Sequence, residues 1–351
     1  MIKKILALFL ATITFLNYSD IAVGAVDNKS TYTITTEFNY SFAKEENWKS
    51  LSKQEKIESC QIPQYIADKM STEVLLDSVL ANPLMVDLLI FDRYEEGYTA
   101  VKSEIEVFHT LLERVDLYDV LVKKYEDCCK GTTDEEIMNS IYLSVLMAQP
   151  EIAETGKSKS IQNIYELLEM KDIHIYAASV EEHMEEITQS NNLMRNQILI
   201  GTYNTVYITT PMGNSIQALE FVGLDYNALQ KSIMHKEVTS VYQICSYVSP
   251  ASARYNCHSY AWYSQSENNP YWINHESCDV YMTEGGYNGV STAAAGDKIH
   301  WCAGDHSGII VGVGTQAGNM VVISKYGHYG VYTAYVEDVP YSGSYSYYRK
   351  N

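Results

Sequence analysis

The chain has 351 residues and a formal net charge of −19, with 46% hydrophobic and 20% charged side chains. That apolar content belongs to a folded protein rather than a disordered one. The strong negative balance, with no basic stripe anywhere, repels phosphates and disfavours nucleic acid as a partner.

Residues 1–25 open with Lys3 and Lys4, continue through the apolar run "ILALFLATITFL" and end in the small residues "AVGA". This is the layout of a secretory signal peptide cut after Ala25, which predicts a protein released from the cell or held at its surface. The run is short of the roughly 20 residues a membrane helix needs, and no later segment of that length lacks charge, so no transmembrane protein is expected. The remaining length exceeds what one core usually serves and predicts two domains, 26–200 and 201–351. Composition divides at the same place. Residues 26–200 hold 32 acidic and 16 basic side chains, against 11 and 7 in 201–351, whereas 19 of the 30 tyrosines fall in the second part.

In chain order, "TYTITTEFNY" (31–40) alternates apolar and polar side chains and predicts a short strand. From about Asn47 to Gln189 the spacing turns helical. "SKQE" (Ser52 to Glu55) and "TTDEE" (Thr132 to Glu136) are capping-box starts, and 71–80, 99–115, 134–148 and 160–170 repeat apolar residues at three- and four-residue intervals. Successive amphipathic helices must pack on one another, so this part reads as an α-helical bundle. After Ile200, "TVYITTP", the turn "MGN" and "SIQALEF" predict a hairpin. One helix and several short strands then follow in "DKIHW", "SGIIVGVG", "NMVVISKYG" and "GVYTAYV". The tail "YSGSYSYYRK" reads either as a last strand or as an adhesive segment. The fold class expected is therefore α+β, a helical bundle followed by a helix packed on an antiparallel sheet.

The chemistry centres on "RYNCHSYAWY" (254–263). Asn256 is a good N-cap, and it would place Cys257 at the first turn of a helix, where unpaired N–H groups and the helix dipole favour a thiolate. The same N–H groups, beginning with that of Cys257, would serve as an oxyanion hole. His306, which opens the run "HSGIIVGVG", is the expected base. His258 is adjacent in sequence, so its side chain should point away from the thiol, and it reads as a surface or supporting residue. His300, alternating with Trp301, reads as structural. Six histidines and cysteines (His258, His275, Cys278, His300, Cys302, His306) lie within fifty residues of one another. No C-x-x-C accompanies them and "HESC" is only half a site, so no metal or other cofactor is assigned. Of the seven cysteines, Cys278 and Cys302 are a candidate disulfide that would not consume Cys257.

This order of parts resembles the papain-like amidohydrolases of bacterial cell walls: a cysteine starting a helix, a "GD" turn into a strand ending in Trp, a histidine heading an apolar strand, then "ISKYG". The nearest pattern is that of the CHAP domains (cysteine- and histidine-dependent amidohydrolase/peptidase), with the NlpC-type endopeptidases as cousins, over about 254–341. The resemblance implies a papain-like fold for 201–351, with Cys257 as nucleophile and His306 as the general base that later protonates the leaving amine. It also implies a third polar residue at the end of the next strand, where Ser324 or Lys325 stands. Lysine has no acceptor, which leaves Ser324, with His328 further off. The implied activity is cleavage of amide bonds in peptidoglycan peptides. Alternatives are transglutamination or deamidation of proteins, and a non-catalytic surface or wall-binding role for a degenerate domain. Papain-like enzymes often carry a helical pro-region, so the helical part would inhibit or target.

Overall fold

The computed structural model describes residues 33–45, 47–153, 202–223, 225–284, 286–302, 306–313 and 320–351. The signal segment and the helical pattern at 160–170 lie outside them. The described chain is mixed α+β, with a helical region first and antiparallel sheets after it.

The helical region comprises α1 (Lys53–Ser59), α2 (Gln64–Ala67), α3 (Thr72–Leu80), α4 (Tyr94–Glu104), α5 (Val107–Leu112), α6 (Leu117–Lys130), α7 (Asp134–Met147) and α8 (Pro150–Ala153), with a 3-10 turn at Pro83–Leu89. Both capping boxes form. Ser52 Oγ accepts from the N–H of Glu55 while that carboxylate accepts from the N–H of Ser52, and Thr133 and Glu136 do the same for α7.

Two expectations change here. The single helix expected over 99–115 breaks at Ile105, which leaves the helical conformation (φ −110°, ψ 89°) and is fully buried. Gln61 satisfies the backbone groups that the break exposes: its Nε2 donates to Glu104 O at 2.8 Å and its Oε1 accepts from the N–H of Glu106 at 3.1 Å. The expected strand at 31–40 is reduced to one parallel bridge, Ile34 to Met70. Its alternation survives, since Ile34, Phe38, Tyr40 and Phe42 are all buried, but the surface they bury against is helical rather than a partner strand.

The Pro83–Leu89 turn is the centre of the helical region, with Leu84, Met85, Val86, Leu88 and Leu89 each at most 1% exposed. Helix α4 crosses it in backbone contact. A Cβ on Gly97 would lie 2.2 Å from the Leu88 carbonyl oxygen, so only glycine permits the approach.

Among the described residues the second part contains ten strands: β1 (Thr202–Thr209), β2 (Ser215–Val222), β3 (Ser246–Ser249), β4 (Tyr271–Trp272), β5 (Tyr287–Val290), β6 (Lys298–Trp301), β7 (His306–Gly312), β8 (Val321–Lys325), β9 (Val331–Tyr335) and β10 (Tyr345–Lys350). The expected hairpin is β1–β2, joined to β4 in a small sheet. The other seven form an antiparallel sheet in the order β3-β9-β8-β7-β6-β10-β5, so the tyrosine-rich tail is a strand. Two longer helices interrupt the strands, α9 (Ala228–Val241) and α10 (His275–Thr283). Sequence reading missed α9, although Asn227 and Gln230 make a capping box at its start.

Strand alternation divides the large sheet between two environments. Ile310, Val322, Tyr332 and Ala334 join the core that also holds the helical region, whereas Val331, with Ile309 and Ile323 beside it, packs on Tyr255 and Tyr260 around the Cys257 helix. No helix among the described residues is long and apolar enough to cross a membrane.

Candidate functional site

Asn256 begins the helix as expected. Its Oδ1 accepts from the N–H of Ser259 at 3.0 Å and its carbonyl from the N–H of Tyr260 at 2.9 Å, after which the helix widens into a π-helical turn at Ser259–Tyr263. The same side chain fastens the helix to the start of α10's approach: Nδ2 donates to Ile273 O at 2.7 Å, and Oδ1 accepts from the N–H of Ile273 at 3.2 Å. Cys257 therefore sits in the first turn of a helix, fully buried.

A polar contact to the thiol comes from the helical region. Cys257 Sγ donates to Asp92 Oδ2 at 3.2 Å, Asn256 Nδ2 donates to that oxygen at 2.6 Å, and His258 Nε2 lies 3.7 Å from it. Three consecutive side chains converge on one carboxylate oxygen because Asp92 reaches in between them. Sequence reading did not find Asp92, since nothing local marks a loop aspartate 165 residues away as a partner of the thiol. His258 is 1% exposed, so it is not a surface residue.

His306 heads β7 opposite Trp301. Its ring stacks on Tyr341 at 3.5 Å between centroids and tilts against Trp301 at 5.4 Å. Tyr341 is itself buried. Its hydroxyl donates to Ile90 O at 2.7 Å, and burial, then negative charge at Cys257 and Asp92, push its phenol well above the ordinary range. Tyr341 thus stacks on His306 and lies within electrostatic reach of Cys257 and Asp92.

The candidates for the third position part company. Ser324 is buried on β8, and its Oγ has no hydrogen-bond partner among the described residues. Lys325 turns to the other face, where its ammonium donates to the carbonyls of Ser252 (2.9 Å), Gly327 (2.6 Å) and Tyr329 (2.6 Å) and lies 5.2 Å from the Tyr255 ring. Burial lowers Lys325, to about 7, against the opposing pull of Asp225, Asp92 and Cys257, so a caged cation lies within electrostatic reach of the thiol. His328 is held elsewhere, stacked on Tyr94 at 4.5 Å and tilted on Trp272 at 5.1 Å.

Beneath Cys257 is a second polar cluster. Ser307, the neighbour of His306 on β7, faces the opposite way and pairs with His300 of β6. Its Oγ lies 2.8 Å from His258 Nδ1, 3.2 Å from His300 Nδ1 and 3.9 Å from Cys278 Sγ, and accepts from Trp262 Nε1 at 2.9 Å. Cys278 is buried there while Cys302 is exposed, and the disulfide considered between them is not formed.

Comparison with protein-family models, curated proteins and solved structures finds no match to this chain.

Proposed function

We propose that the protein is an exported cysteine amidohydrolase or endopeptidase of papain-like architecture, with peptidoglycan peptides as its substrate class. The observation that carries this reading is the setting of Cys257, the first-turn residue of a helix capped by Asn256, with Asp92 on its sulfur. Such a position stabilises a thiolate through the helix N-terminus, and the caged Lys325 adds positive charge. Cys257 attacks the amide carbonyl, His306 takes the thiol proton and returns it to the leaving amine, and the acyl-enzyme is hydrolysed by water. In the buried arrangement described above, Asp92 accepts the S–H hydrogen and holds the group as a thiol, since a carboxylate beside it disfavours the anion. Catalysis therefore requires Asp92 to give way to substrate.

Complete burial of the sulfur favours a second reading, in which the domain binds cell wall without cutting it. Digestion of purified peptidoglycan with wild type, Cys257→Ala and His306→Gln, with products resolved by mass spectrometry, separates the two. Soluble fragments from wild type alone are expected. Identical products from wild type and Cys257→Ala would sink the hydrolase reading, and pull-down by peptidoglycan with no fragments would establish the binding one.

A further inference from the structure

We propose that His258, Cys278, His300 and Ser307 form a metal site of the kind Zn2+ fills, which fastens the helix carrying Cys257 to the sheet. Four different elements deliver these side chains: the Cys257 helix, α10, β6 and β7. Each is at most 3% exposed. One ring nitrogen of each imidazole and the sulfur lie within 4.8 Å of one another, and Ser307 Oγ stands 2.8 Å from His258 Nδ1, 3.2 Å from His300 Nδ1 and 3.9 Å from Cys278 Sγ. A tetrahedral zinc ion with about 2.0–2.1 Å to nitrogen or oxygen and about 2.3 Å to sulfur keeps its ligand atoms about 3.3–3.8 Å apart. To enclose such an ion, a contact as long as 4.8 Å would close by about 1 Å and the 2.8 Å Ser307–His258 contact would open by about 0.5 Å.

The Ser307 hydroxyl accepts from Trp262 Nε1 and bridges the two imidazoles, and the sulfur at 3.9 Å has the longest contact. A cation takes a lone pair from every member at once. Cys278 would bind as thiolate and release its proton, and both imidazoles would bind neutral.

The surroundings match a metal's outer shell. The far nitrogen of His258 lies 3.7 Å from Asp92 Oδ2, so a carboxylate stands on the side of the ring away from the cluster and would strengthen the imidazole as a donor by closing to hydrogen-bond length. Four protein ligands and no exposed face describe a structural site rather than a catalytic one. The sequence contained the signal in "HESC" and the crowd of histidines around it. Spacing did not reveal it, because the ligands are spread over fifty residues and meet only through the β6–β7 register.

The test is metal content and cobalt spectroscopy on the full chain. Protein folded with Zn2+ and dialysed is expected to retain about one ion per chain. Protein folded with Co2+ is expected to show tetrahedral d–d bands and a thiolate-to-cobalt charge-transfer band, which disappears in Cys278→Ala and persists in Cys257→Ala. Wild type that retains no ion after folding with either metal overturns the proposal. So does a charge-transfer band that survives Cys278→Ala or is lost instead in Cys257→Ala, which would move the ion to Asp92, Cys257 and His258. If Cys278→Ala fails to fold, wild type decides by itself: thermal stability must fall on chelation and return with Zn2+, and a melting temperature indifferent to both refutes the site. None of these readouts depends on hydrolase activity.

Discussion

His328 shows how one buried side chain sets a pH limit. Burial, then the charge of Lys325, hold its imidazole down, to about 3, with the hydroxyls of Tyr94 and Tyr226 at 3.4 and 3.5 Å from Nδ1. The unfolded chain therefore takes up this proton first. The group's contribution to stability is complete above about pH 6.5 and drains away as pH falls toward the folded value, at a limiting slope of about 1.4 kcal/mol per pH unit. His328→Phe keeps the stack on Tyr94 and removes the titration, so its melting temperature should fall less than that of wild type between pH 7 and pH 4; parallel curves would refute this account. The adjacent Gly327 has φ +48°, and a Cβ there would stand 2.4 Å from the Leu89 carbonyl oxygen. Gly327→Ala is expected to cost about 2–4 kcal/mol in chemical denaturation. Asp92→Asn removes the carboxylate that holds Cys257 as a thiol. Iodoacetamide labelling of Cys257 near neutral pH should then accelerate by about three- to fourfold for each unit its pKa drops, the larger thiolate fraction being partly offset by weaker nucleophilicity. An unchanged rate would show that Asp92 does not control the thiol.

At the scale of elements, the helix beginning at Cys257 depends on Asn256 more than an ordinary capped helix does. That side chain makes the cap, both links to Ile273 and the bond to Asp92, all out of solvent. Asn256→Ala should cost about 2–4 kcal/mol, above the ~1 kcal/mol typical of a lost cap, because it strands buried partners. A loss under about 1 kcal/mol by urea denaturation would mean the cap alone matters. Elements with local signals were legible from sequence: α3, α7, the β1–β2 hairpin and the run β6 to β9 all lie where periodicity and turn residues put them. The break at Ile105 was not, because the amide of Gln61 that makes it tolerable comes from outside the segment. The lost strand at 31–40 failed for the same reason, since alternation reports burial on one face and not what lies opposite.

Across the whole molecule, helical region and sheet share one core. Leu75, Leu89 and Phe108 belong to the same buried cluster as Ile310, Val322 and Tyr332. A charge network crosses the same junction. Lys53 pairs with Asp87 and, at 2.8 Å, with Glu104, Tyr242 donates to Asp87, and Lys56 Nζ donates to Val241 O at 2.8 Å. Removing either side leaves apolar surface and buried charges without their partners. A fragment 201–351 is therefore expected to be insoluble or to lack cooperative unfolding by circular dichroism, and a soluble fragment with a sharp transition would show that the second part folds independently. By itself the sequence determined the α+β class, the helical and strand-rich halves, the capped helix at Cys257 and the strand headed by His306, because each rests on periodicity, caps or turns within a few residues. Only the tertiary structure decided that Asp92 lies on the thiol, that Lys325 is caged, and that His258, Cys278, His300 and Ser307 meet. Those contacts join residues up to 165 positions apart, and strand register and core packing bring them together where no local pattern records it.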